Sequence, residues 1–425
     1  MSEKTSKTLV KIGSSSFREL RESGCFYADK TDLIEEFLDN VTQKACLITR
    51  PIGFGKSLNM SMLAEFFDIA KDSRDLFAGL KISAQSELCA EWMNQWPVLF
   101  VSLKDVQGAS FSQAFSKFAK LAGELCSARA FLMASEKVNL RCRKRLAAIS
   151  EGTANEYEVG TVLSVLCDAL SQHYSKKVVV LIDDYDAPLA KAQQAGFYQE
   201  MYEFLHSLFS KLLKGNSSLK FGITTGCLRV FNECYDCYNS SNVVFADKFG
   251  FTSKDADKLL SAAGLSDRKA VLEEWYKGYC FGREQTMYCP GDVLCCIRDL
   301  QRDPKAQPAA YLGGTSAFDD AMRLAQHAGR NISGSLHALL RGGTIAARIN
   351  ESLSCGAVQD TWDNLWTFLY LTGCLTKADE KRLYAGLPDD FQMADDAGLT
   401  ALRIPNKAVR TLFQDSIALW DSPRI

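Results

Sequence analysis

The sequence has few of the features that mark membrane, secreted or zinc-binding proteins. Its longest unbroken aliphatic run, Val178–Ile182, is far shorter than the roughly 20 apolar residues of a membrane-spanning helix. Only 4 histidines occur in 425 residues, and none lies at metal-ligand spacing from a cysteine pair. The first residues are polar and precede no apolar segment with a cleavage site. We therefore expect no signal peptide, no membrane partner and a cytoplasmic location.

An excess of charge of either sign is also missing. Lys plus Arg number 49 and Asp plus Glu number 51, which gives a formal net charge of -2. This balance argues against a protein that coats nucleic acid. The 15 cysteines are scattered along the chain, and we expect them to be reduced thiols. With 47% hydrophobic and 24% charged residues, the composition is that of a folded protein of two or three domains.

The first half of the chain alternates short apolar runs with longer amphipathic stretches. Such alternation predicts an α/β fold with a parallel sheet covered by helices on both faces. Five strands are expected in this sheet, with a short last member: 44–49, 97–103, 177–183, 219–226 and Val243–Phe245.

The pattern changes after Phe251. Residues 252–340 are predicted to be helical, with breaks at Gly264, Gly278 to Gly282, Pro290 and Gly313–Gly314. Further on, the pattern predicts a helix at 362–370, a hairpin of 374–384 with 399–404, and a final helix at 406–417. This order suggests a winged-helix-like module. The predicted division is a core at 1–250, a helical lid at 251–345 and the winged-helix-like module at 346–425.

A Gly-rich turn follows the first strand and precedes a helix whose Leu58, Met62 and Phe66 form an apolar stripe. Its sequence, Arg50-Pro51-Ile52-Gly53-Phe54-Gly55-Lys56-Ser57, predicts a phosphate-binding loop at a helix N-terminus. Lys56 is expected to reach the β- and γ-phosphates of a nucleotide, and Ser57 is expected to bind Mg²⁺. The predicted nucleotide-binding residues are Arg50, Gly53, Phe54, Gly55, Lys56, Ser57 and Leu58.

A second motif supports a nucleotide site. The apolar run 178–182 ends in Asp183 and Asp184. We expect Asp183 to hold Mg²⁺, and Asp184 to orient the water that attacks the terminal phosphate. The fourth strand ends in Thr225, with Arg229 four residues on, and both are expected near the terminal phosphate. One whole strand lies between the two motifs, as in P-loop ATPases with an added central strand.

Several further motifs appear in an order that resembles a bacterial AAA-ATPase-like family, related to the signal-transducing ATPases with numerous domains. The resemblance covers nearly the whole chain. The matching segments are Phe17-Arg18-Glu19-Leu20-Arg21-Glu22, Tyr27-Ala28-Asp29-Lys30-Thr31, the phosphate loop, Leu181-Ile182-Asp183-Asp184-Tyr185-Asp186-Ala187-Pro188, Thr225-Gly226 with Arg229, Phe249-Gly250-Phe251-Thr252, Trp275-Tyr276-Lys277-Gly278-Tyr279 and Arg403-Ile404-Pro405-Asn406-Lys407.

This resemblance implies an ATPase core, a helical lid and a winged-helix-like segment, with ATP and Mg²⁺ as ligands. Many family members carry a restriction-endonuclease-like nuclease after the last motif. Too few residues follow Lys407 here for such a domain, so we expect no nuclease activity. Regulatory, mobile-element and defence roles are suspected for the family, and an unidentified protein partner is expected.

The chain departs from the family pattern at several places. The family's paired loop arginines are Ile52 and Gly53, which removes two cations from the phosphate site. The family's Glu after the Mg²⁺ aspartate is Asp184, one methylene shorter. The family's Y-N-P-W-S is here 288–292, Tyr-Cys-Pro-Gly-Asp. Slow hydrolysis by a nucleotide-dependent switch is therefore expected, and a non-hydrolysing nucleotide-binding interaction module is the alternative.

Other features allow two interpretations. The basic cluster Arg141, Arg143, Lys144 and Arg145 is either a solvated helix face or a contact for nucleic acid. Together with the predicted winged-helix-like module, it is the basis for a third possible function, a DNA-handling motor. Tyr185 and Asp186 either shape the site or belong to a turn capped by Pro188. Phe17 and Tyr27 either pack in the core or flank an adenine ring.

Overall fold

A computed structural model describes residues 10–40, 43–231, 236–282, 285–311, 331–353, 357–358, 361–378 and 398–421. Its centre is a sheet of five parallel strands with the spatial order β2-β3-β4-β1-β5. Strands β1 to β5 are Ala45–Thr49, Val98–Ser102, Val178–Asp183, Leu219–Gly226 and Asp236–Tyr238. The predicted α/β class and the all-parallel five-stranded sheet are thus confirmed.

The strand register brings the two chemical motifs together. Thr49 at the end of β1 lies opposite Gly226 at the end of β4, and Asp183 at the end of β3 lies opposite Ser102 at the end of β2. Every residue of β1 and β3 is buried. Strands apolar on both faces must be covered by helices, as these are. The carboxyl ends of four strands therefore meet at one edge of the sheet.

The fifth strand lies earlier in the chain than predicted. Asp236–Tyr238 pairs with Cys46–Ile48 of β1, whereas the apolar run 243–245 forms a turn. Phe245 has a left-handed φ of 61° and a fully buried ring. The prediction for Val243–Phe245 was wrong because its aromatic residue is buried as part of a tight turn and not of a strand.

Eighteen α-helices surround this sheet and continue beyond it in the described residues, together with two short 3₁₀ helices at Lys81–Ala84 and Ser266–Arg268. In chain order α1 to α12 are Phe17–Glu22, Leu33–Asn40, Lys56–Phe67, Arg74–Phe77, Ser86–Trp92, Phe111–Ser127, Phe131–Ala134, Leu140–Ser150, Glu156–Val159, Val162–Tyr174, Ala187–Ala195 and Tyr198–Leu213. The remaining helices, α13 to α18, are Ser253–Ala263, Lys269–Tyr276, Pro290–Arg302, Asn331–Leu340, Trp362–Leu371 and Lys407–Asp421.

The segment predicted to be wholly helical contains a β-hairpin. Strand β6 at Lys277–Phe281 pairs antiparallel with β7 at Gln285–Tyr288. Tyr279, Phe281 and Met287 are buried in the main apolar cluster. The prediction treated Gly278 to Gly282 as a break between helices, but aromatic residues at alternate positions suit a strand better. The predicted break at Gly313–Gly314 lies outside the described residues.

The last part of the chain forms a three-stranded antiparallel sheet with helices. Strands β8 at Ile345–Arg348 and β9 at Thr376–Lys377 flank β10 at Leu399–Arg403. The predicted helix at 362–370 is α17, and the predicted pairing of the two hairpin segments occurs between β9 and β10. The residues between these strands, 379–397, lie outside the described part.

The buried apolar side chains of the described residues form two clusters. The larger cluster runs from the parallel sheet through the hairpin β6–β7 into α17 and β10. The smaller one joins α13, α14 and α15 with Phe251 and Ala28. Helices α13 to α15 therefore have a core of their own, whereas the last sheet shares the core of the first. In the part of the chain that is described, no helix has the length and apolar character to cross a membrane.

Candidate functional site

The turn between β1 and α3 has the geometry of an anion-binding loop. Gly53 and Gly55 have left-handed φ values of 82° and 83°, which residues with a side chain rarely adopt. Gly55 caps α3, and no side chain satisfies the first N–H groups of that helix. Free N–H groups and the helix dipole make this end of α3 attractive to a phosphate.

Lys56 opens α3 and is almost fully buried, at 6% exposure. Its ammonium donates hydrogen bonds of 3.0 and 3.1 Å to the carbonyls of Arg50 and Pro51, so it lies folded against its own loop. Burial acts to lower the pKa of Lys56, but the nearby carboxylates of Asp184 and Asp186 help to hold this pKa above its usual value. The lysine is therefore a buried cation at the floor of the loop.

The opposite side of the loop is acidic. Asp183 ends β3 at 2% exposure, and the Thr225 hydroxyl at the end of β4 donates a 2.7 Å hydrogen bond to it. The fully buried Thr225 thus contacts the aspartate and is absent from the cavity wall described below. The contact of Thr225 with a terminal phosphate stays a prediction.

Asp184 is half-buried and has a left-handed φ of 51°, a conformation that Asp tolerates better than most residues. Burial raises the pKa of its carboxyl to about 6, and repulsion from Asp183 adds to this rise, while Lys56 and Lys104 oppose it. A carboxylate with a raised pKa in a cleft is typical of a group that handles protons or water.

Asp186 holds the turn that follows β4. Its buried carboxylate accepts hydrogen bonds of 2.8 Å from the N–H groups of Cys227 and Leu228. The Tyr185 hydroxyl adds two bonds of 2.7 Å, donated to the Leu228 carbonyl and accepted from the Val230 N–H. The sequence left two roles equally open for this pair, one in the site and one in a turn capped by Pro188. The structure adds a contact that the sequence did not indicate, because the pair fixes the different turn after β4, and Asp186 also lines the cavity.

Arg50 and Arg229 lie away from the cavity. The Arg50 guanidinium is 1% exposed and donates to the carbonyls of Thr49, Tyr238 and Phe245. It also lies over the rings of Phe249 and Phe281, at 5.3 and 5.5 Å. Arg229 lies near Cys237. Burial raises the pKa of the Cys237 thiol, and the positive charge of Arg229 offsets part of this rise. Neither side chain lines the cavity that contains Lys56.

A cavity of about 760 Å³ lies at this edge of the sheet. The phosphate loop forms its floor, including Gly53, Phe54, Gly55, Lys56, Ser57 and Leu58. Apolar groups from the N-terminal segment and from the segment that begins at Phe251 also line it: Leu20, Phe26, Tyr27, Phe251, Pro290 and Leu294. A cavity that combines a phosphate-binding loop with apolar side chains suits a phosphate-bearing ligand with an aromatic base. Phe17 is fully buried against Tyr27 and Phe77, so it packs in the core.

The oxygen groups in and beside the cavity wall suit Mg²⁺. Ser57 and Asp184 line the cavity, whereas the buried Asp183 does not. The hydroxyl and the two carboxylates are hard ligands of the type this ion prefers. Among the described residues, no group of three or more His, Cys, Asp or Glu side chains forms a complete metal cage. Mg²⁺ is usually held by one or two carboxylates together with substrate phosphates, so the residues present fit such a shared site.

The loop is tied to the hairpin above it through Phe54. This ring contacts Tyr279 at 4.8 Å and Phe281 at 5.0 Å, and the Phe54 carbonyl accepts a 3.0 Å bond from the Gly250 N–H. Gly250 has a φ of 90°, and a Cβ there would lie 2.8 Å from the Phe54 ring. Only glycine fits this close approach.

Distant motifs of the sequence also contact one another. Arg403 donates a 2.9 Å bond to the Gly278 carbonyl, and Asn406 donates a 3.2 Å bond to the Tyr276 carbonyl. Lys30 pairs with Asp255 at 2.7 Å between the N-terminal segment and α13. Helix α13 is therefore bonded to the N-terminal segment, and residues 276–278 are bonded to the last motif of the sequence.

A parallel α/β sheet with a Gly-rich loop before a helix, a buried lysine and an aspartate at the end of β3 has the architecture of a P-loop ATPase core. The family described as "Predicted AAA-ATPase" matches residues 11–234, and the chain belongs to it. The chain is also similar to "Uncharacterized protein in vnfD 5'region" of Azotobacter chroococcum mcd 1, with 24% identity over 309 residues, 70% of this chain and 54% of the relative. The chain thus spans about half the length of that relative.

Proposed function

We propose that this protein binds ATP with Mg²⁺ in the cavity at the sheet edge, hydrolyses it slowly, and uses the bound state as a regulatory switch. One observation carries the proposal: Lys56 and Ser57 line one cavity together with Asp184, and the Asp183–Thr225 pair lies next to Asp184 in the chain and in the sheet. A helix N-terminus, a cation and oxygen ligands for Mg²⁺ meet there at a single, partly open cavity.

Binding is assigned to the loop. Its N–H groups and the start of α3 would hold the phosphate oxygens, and Lys56 would exchange its bonds to the Arg50 and Pro51 carbonyls for bonds to phosphate. Ser57 and Asp183 would hold Mg²⁺, which neutralises charge on the phosphates when it is bound. The side chain of Arg50 is left out of the binding set because three carbonyls already occupy its guanidinium.

Asp184 is the residue assigned to orient the attacking water. Its shorter side chain places the carboxylate oxygens about one bond length farther back than a Glu at this position. A misplacement of about 1 Å can lower a rate by on the order of a hundredfold. Slow turnover follows from this and from the loss of loop cations at Ile52 and Gly53.

The switch is assigned to the segment after Phe251. Residues of this segment line the cavity, and Phe54 of the loop packs on the hairpin β6–β7. A nucleotide in the cavity would therefore contact the core and the lid together and bias their packing. The division into a core at 1–250, a lid at 251–345 and a winged-helix-like module at 346–425 belongs to this proposal, as do a cytoplasmic location and an unidentified protein partner.

Nucleic acid is the weaker choice of partner. Arg143 and Arg145 in α8 are half-buried, and Arg145 donates to the Thr161 hydroxyl. Only part of the basic cluster is therefore available to phosphates. The second candidate function remains a nucleotide-binding module without turnover, which the change at Asp184 favours.

The test is nucleotide binding by the purified chain, measured by calorimetry and by thermal denaturation with ATP, ADP and GTP in the presence of Mg²⁺. At about 100 times Kd, ATP should stabilise the fold by roughly 2.7 kcal/mol. Lys56→Ala should remove this stabilisation. Lys44→Ala is the matched control. Lys44 is exposed and directly precedes β1, whereas the phosphate loop follows the other end of this strand.

Turnover of ATP, measured as the release of inorganic phosphate, separates the two candidate functions. Slow release that is lost in Lys56→Ala and retained in Lys44→Ala supports an ATPase. Binding without phosphate release supports the non-hydrolysing module. Absence of any nucleotide effect on the wild-type chain would contradict both.

A further inference from the structure

A lysine in the turn after β2 lines the same cavity as the phosphate loop. The Leu103 N–H donates a 3.0 Å bond to the Asp183 carbonyl, which extends the pairing of β2 with β3 by one residue. Lys104 follows immediately, is exposed, and lines the cavity. Its backbone thus begins at the sheet edge that carries Asp183 and Asp184.

Six lysines line this cavity, and four of them already have partners. Lys11 pairs with Glu19, Lys30 with Asp255, Lys248 with Asp32, and Lys56 with its own loop carbonyls. The side chains of Lys104 and Lys191 have no hydrogen bond or ion pair within the residues that the structure describes. Of these two, Lys104 follows the strand that pairs with the end of β3 at Asp183, whereas Lys191 lies in α11.

The cavity also has a shortage of positive charge at its floor. Asp184 and Asp186 line the cavity, as does Asp105 next to Lys104, whereas the loop itself supplies only Lys56. A nucleotide triphosphate brings about four more negative charges to the same place. A cation without a partner in the turn after β2 would offset this excess, because the attraction of opposite charges grows in a partly enclosed site.

We propose that Lys104 is a phosphate-binding residue that contacts the terminal phosphate of ATP. Lys56 approaches that phosphate from the loop, and Lys104 approaches it from the end of β2. Together they clamp the group that distinguishes a triphosphate from a diphosphate. This inference rests on the proposed nucleotide site, and it predicts a specificity that the loop alone does not provide.

The experiment compares an ATP analogue that cannot be hydrolysed, with a nitrogen bridging its β- and γ-phosphates, against ADP. Both are titrated calorimetrically with Mg²⁺ into wild type and into the variant Lys104→Met. Loss of a charged hydrogen bond to the terminal phosphate should weaken analogue binding about ten- to hundredfold and change ADP binding less than about twofold. Lys104→Arg keeps the charge and should retain most of the preference for the analogue.

Lys117→Met is the matched control, since Lys117 is an exposed residue of α6 outside the cavity wall. It should bind both nucleotides as wild type does. Equal weakening of analogue and ADP in Lys104→Met, or no weakening of either, would overturn the role of Lys104 while leaving the nucleotide site intact. If wild type binds neither nucleotide, the proposed function fails first, and the inference fails with it.

Discussion

The Thr225 hydroxyl donates a 2.7 Å hydrogen bond to the Asp183 carboxylate and thereby joins the ends of two neighbouring parallel strands. Both side chains are buried, at 0% and 2% exposure. A carboxylate held in this way has a fixed orientation, and partners of this kind support the groups that bind a metal directly. Thr225 thus positions the residue that we assign to Mg²⁺.

The first prediction follows from this pair. Thr225→Val keeps the shape of the side chain but removes the donor, so the Mg²⁺ concentration needed for ATP binding should rise about tenfold or more. The measurement is a Mg²⁺ titration of the thermal stabilisation by ATP. Thr224→Val is the control, because the buried Thr224 hydroxyl has no hydrogen-bond partner in the described structure. It should behave as wild type, and equal titrations for both variants would contradict the role of Thr225.

The second prediction concerns pH. Asp184 has a folded-state pKa of about 6, above its ordinary value of 3.8, chiefly because of burial. The folded state therefore binds the proton more tightly, and ionisation of Asp184 destabilises the fold as pH rises through this window. Without metal or nucleotide, Asp184→Asn should gain stability over wild type by about 1–3 kcal/mol at pH 7, and much less at pH 4. Urea unfolding at several pH values measures it, and a gain that is independent of pH would contradict the assignment.

The third prediction tests the role of Arg50. Its guanidinium satisfies three buried carbonyls, and a lysine offers one point charge where the arginine offers a fork of donors. Arg50→Lys should destabilise the fold by about 2 kcal/mol or more, since buried carbonyls left unpaired cost about 1–3 kcal/mol each. Arg74→Lys, at a side chain that is 77% exposed, should change stability by less than about 0.5 kcal/mol.

Nucleotide affinity separates this structural role from phosphate binding. At a temperature where Arg50→Lys stays folded, its Kd for ATP should remain close to that of wild type. A selective loss of ATP affinity with unchanged stability would place Arg50 at the phosphates, as the sequence suggested.

The parts of the site predicted correctly from the sequence are those that depend on neighbouring residues. A strand, a Gly-rich turn and an amphipathic helix follow each other between residues 45 and 67, and each carries its own local pattern. The same holds for β3, where an apolar run ends in two aspartates. Local patterns were therefore enough to predict the strand, turn and helix of residues 45–67 and the parallel sheet.

The parts that were missed depend on distant contacts. Arg50 meets the carbonyls of Tyr238 and Phe245, which lie 188 and 195 positions further along the chain. Gly278 has a φ of 143°, and a Cβ there would lie 1.9 Å from the Pro405 carbonyl oxygen. The hairpin at this glycine is thus shaped by the last motif of the chain. No pattern within a short window carries such information.

The fourth prediction uses the close packing after β4. A Cβ on Gly226 would lie 2.5 Å from an Asp186 carboxylate oxygen and 2.7 Å from the Tyr185 ring. Both neighbours are held by hydrogen bonds, so Gly226→Ala should cost about 1–3 kcal/mol and weaken ATP binding. Gly334→Ala in α16 meets open space and should be neutral or stabilising by up to about 1 kcal/mol. Chemical unfolding of both variants measures the contrast, and equal stabilities would contradict it.

The last prediction concerns the length of the acid after Asp183. Asp184→Glu extends the carboxylate toward the cavity, and we expect ATP turnover to rise while ATP affinity stays similar, because Lys56 and the proposed Mg²⁺ ligands are unchanged. The backbone conformation at this position opposes the substitution and lowers the stability of the fold. Asp184 has a left-handed φ of 51°, which Glu adopts less readily, so the variant should lose about 1 kcal/mol of stability. Phosphate release at saturating ATP, with Kd and urea unfolding of both forms, measures the three effects.

The opposite result has a definite meaning. If the native protein hydrolyses ATP briskly and Asp184→Glu lowers the rate, the cavity is built around the shorter acid. Asp184→Asn then serves as the control, because it keeps the length and removes the negative charge. Loss of turnover in Asp184→Asn together with a lower rate in Asp184→Glu would assign the water-orienting role to Asp184 and contradict slow hydrolysis. Retained turnover in Asp184→Asn would remove that role from this residue, since an amide lacks the negative charge that the role requires.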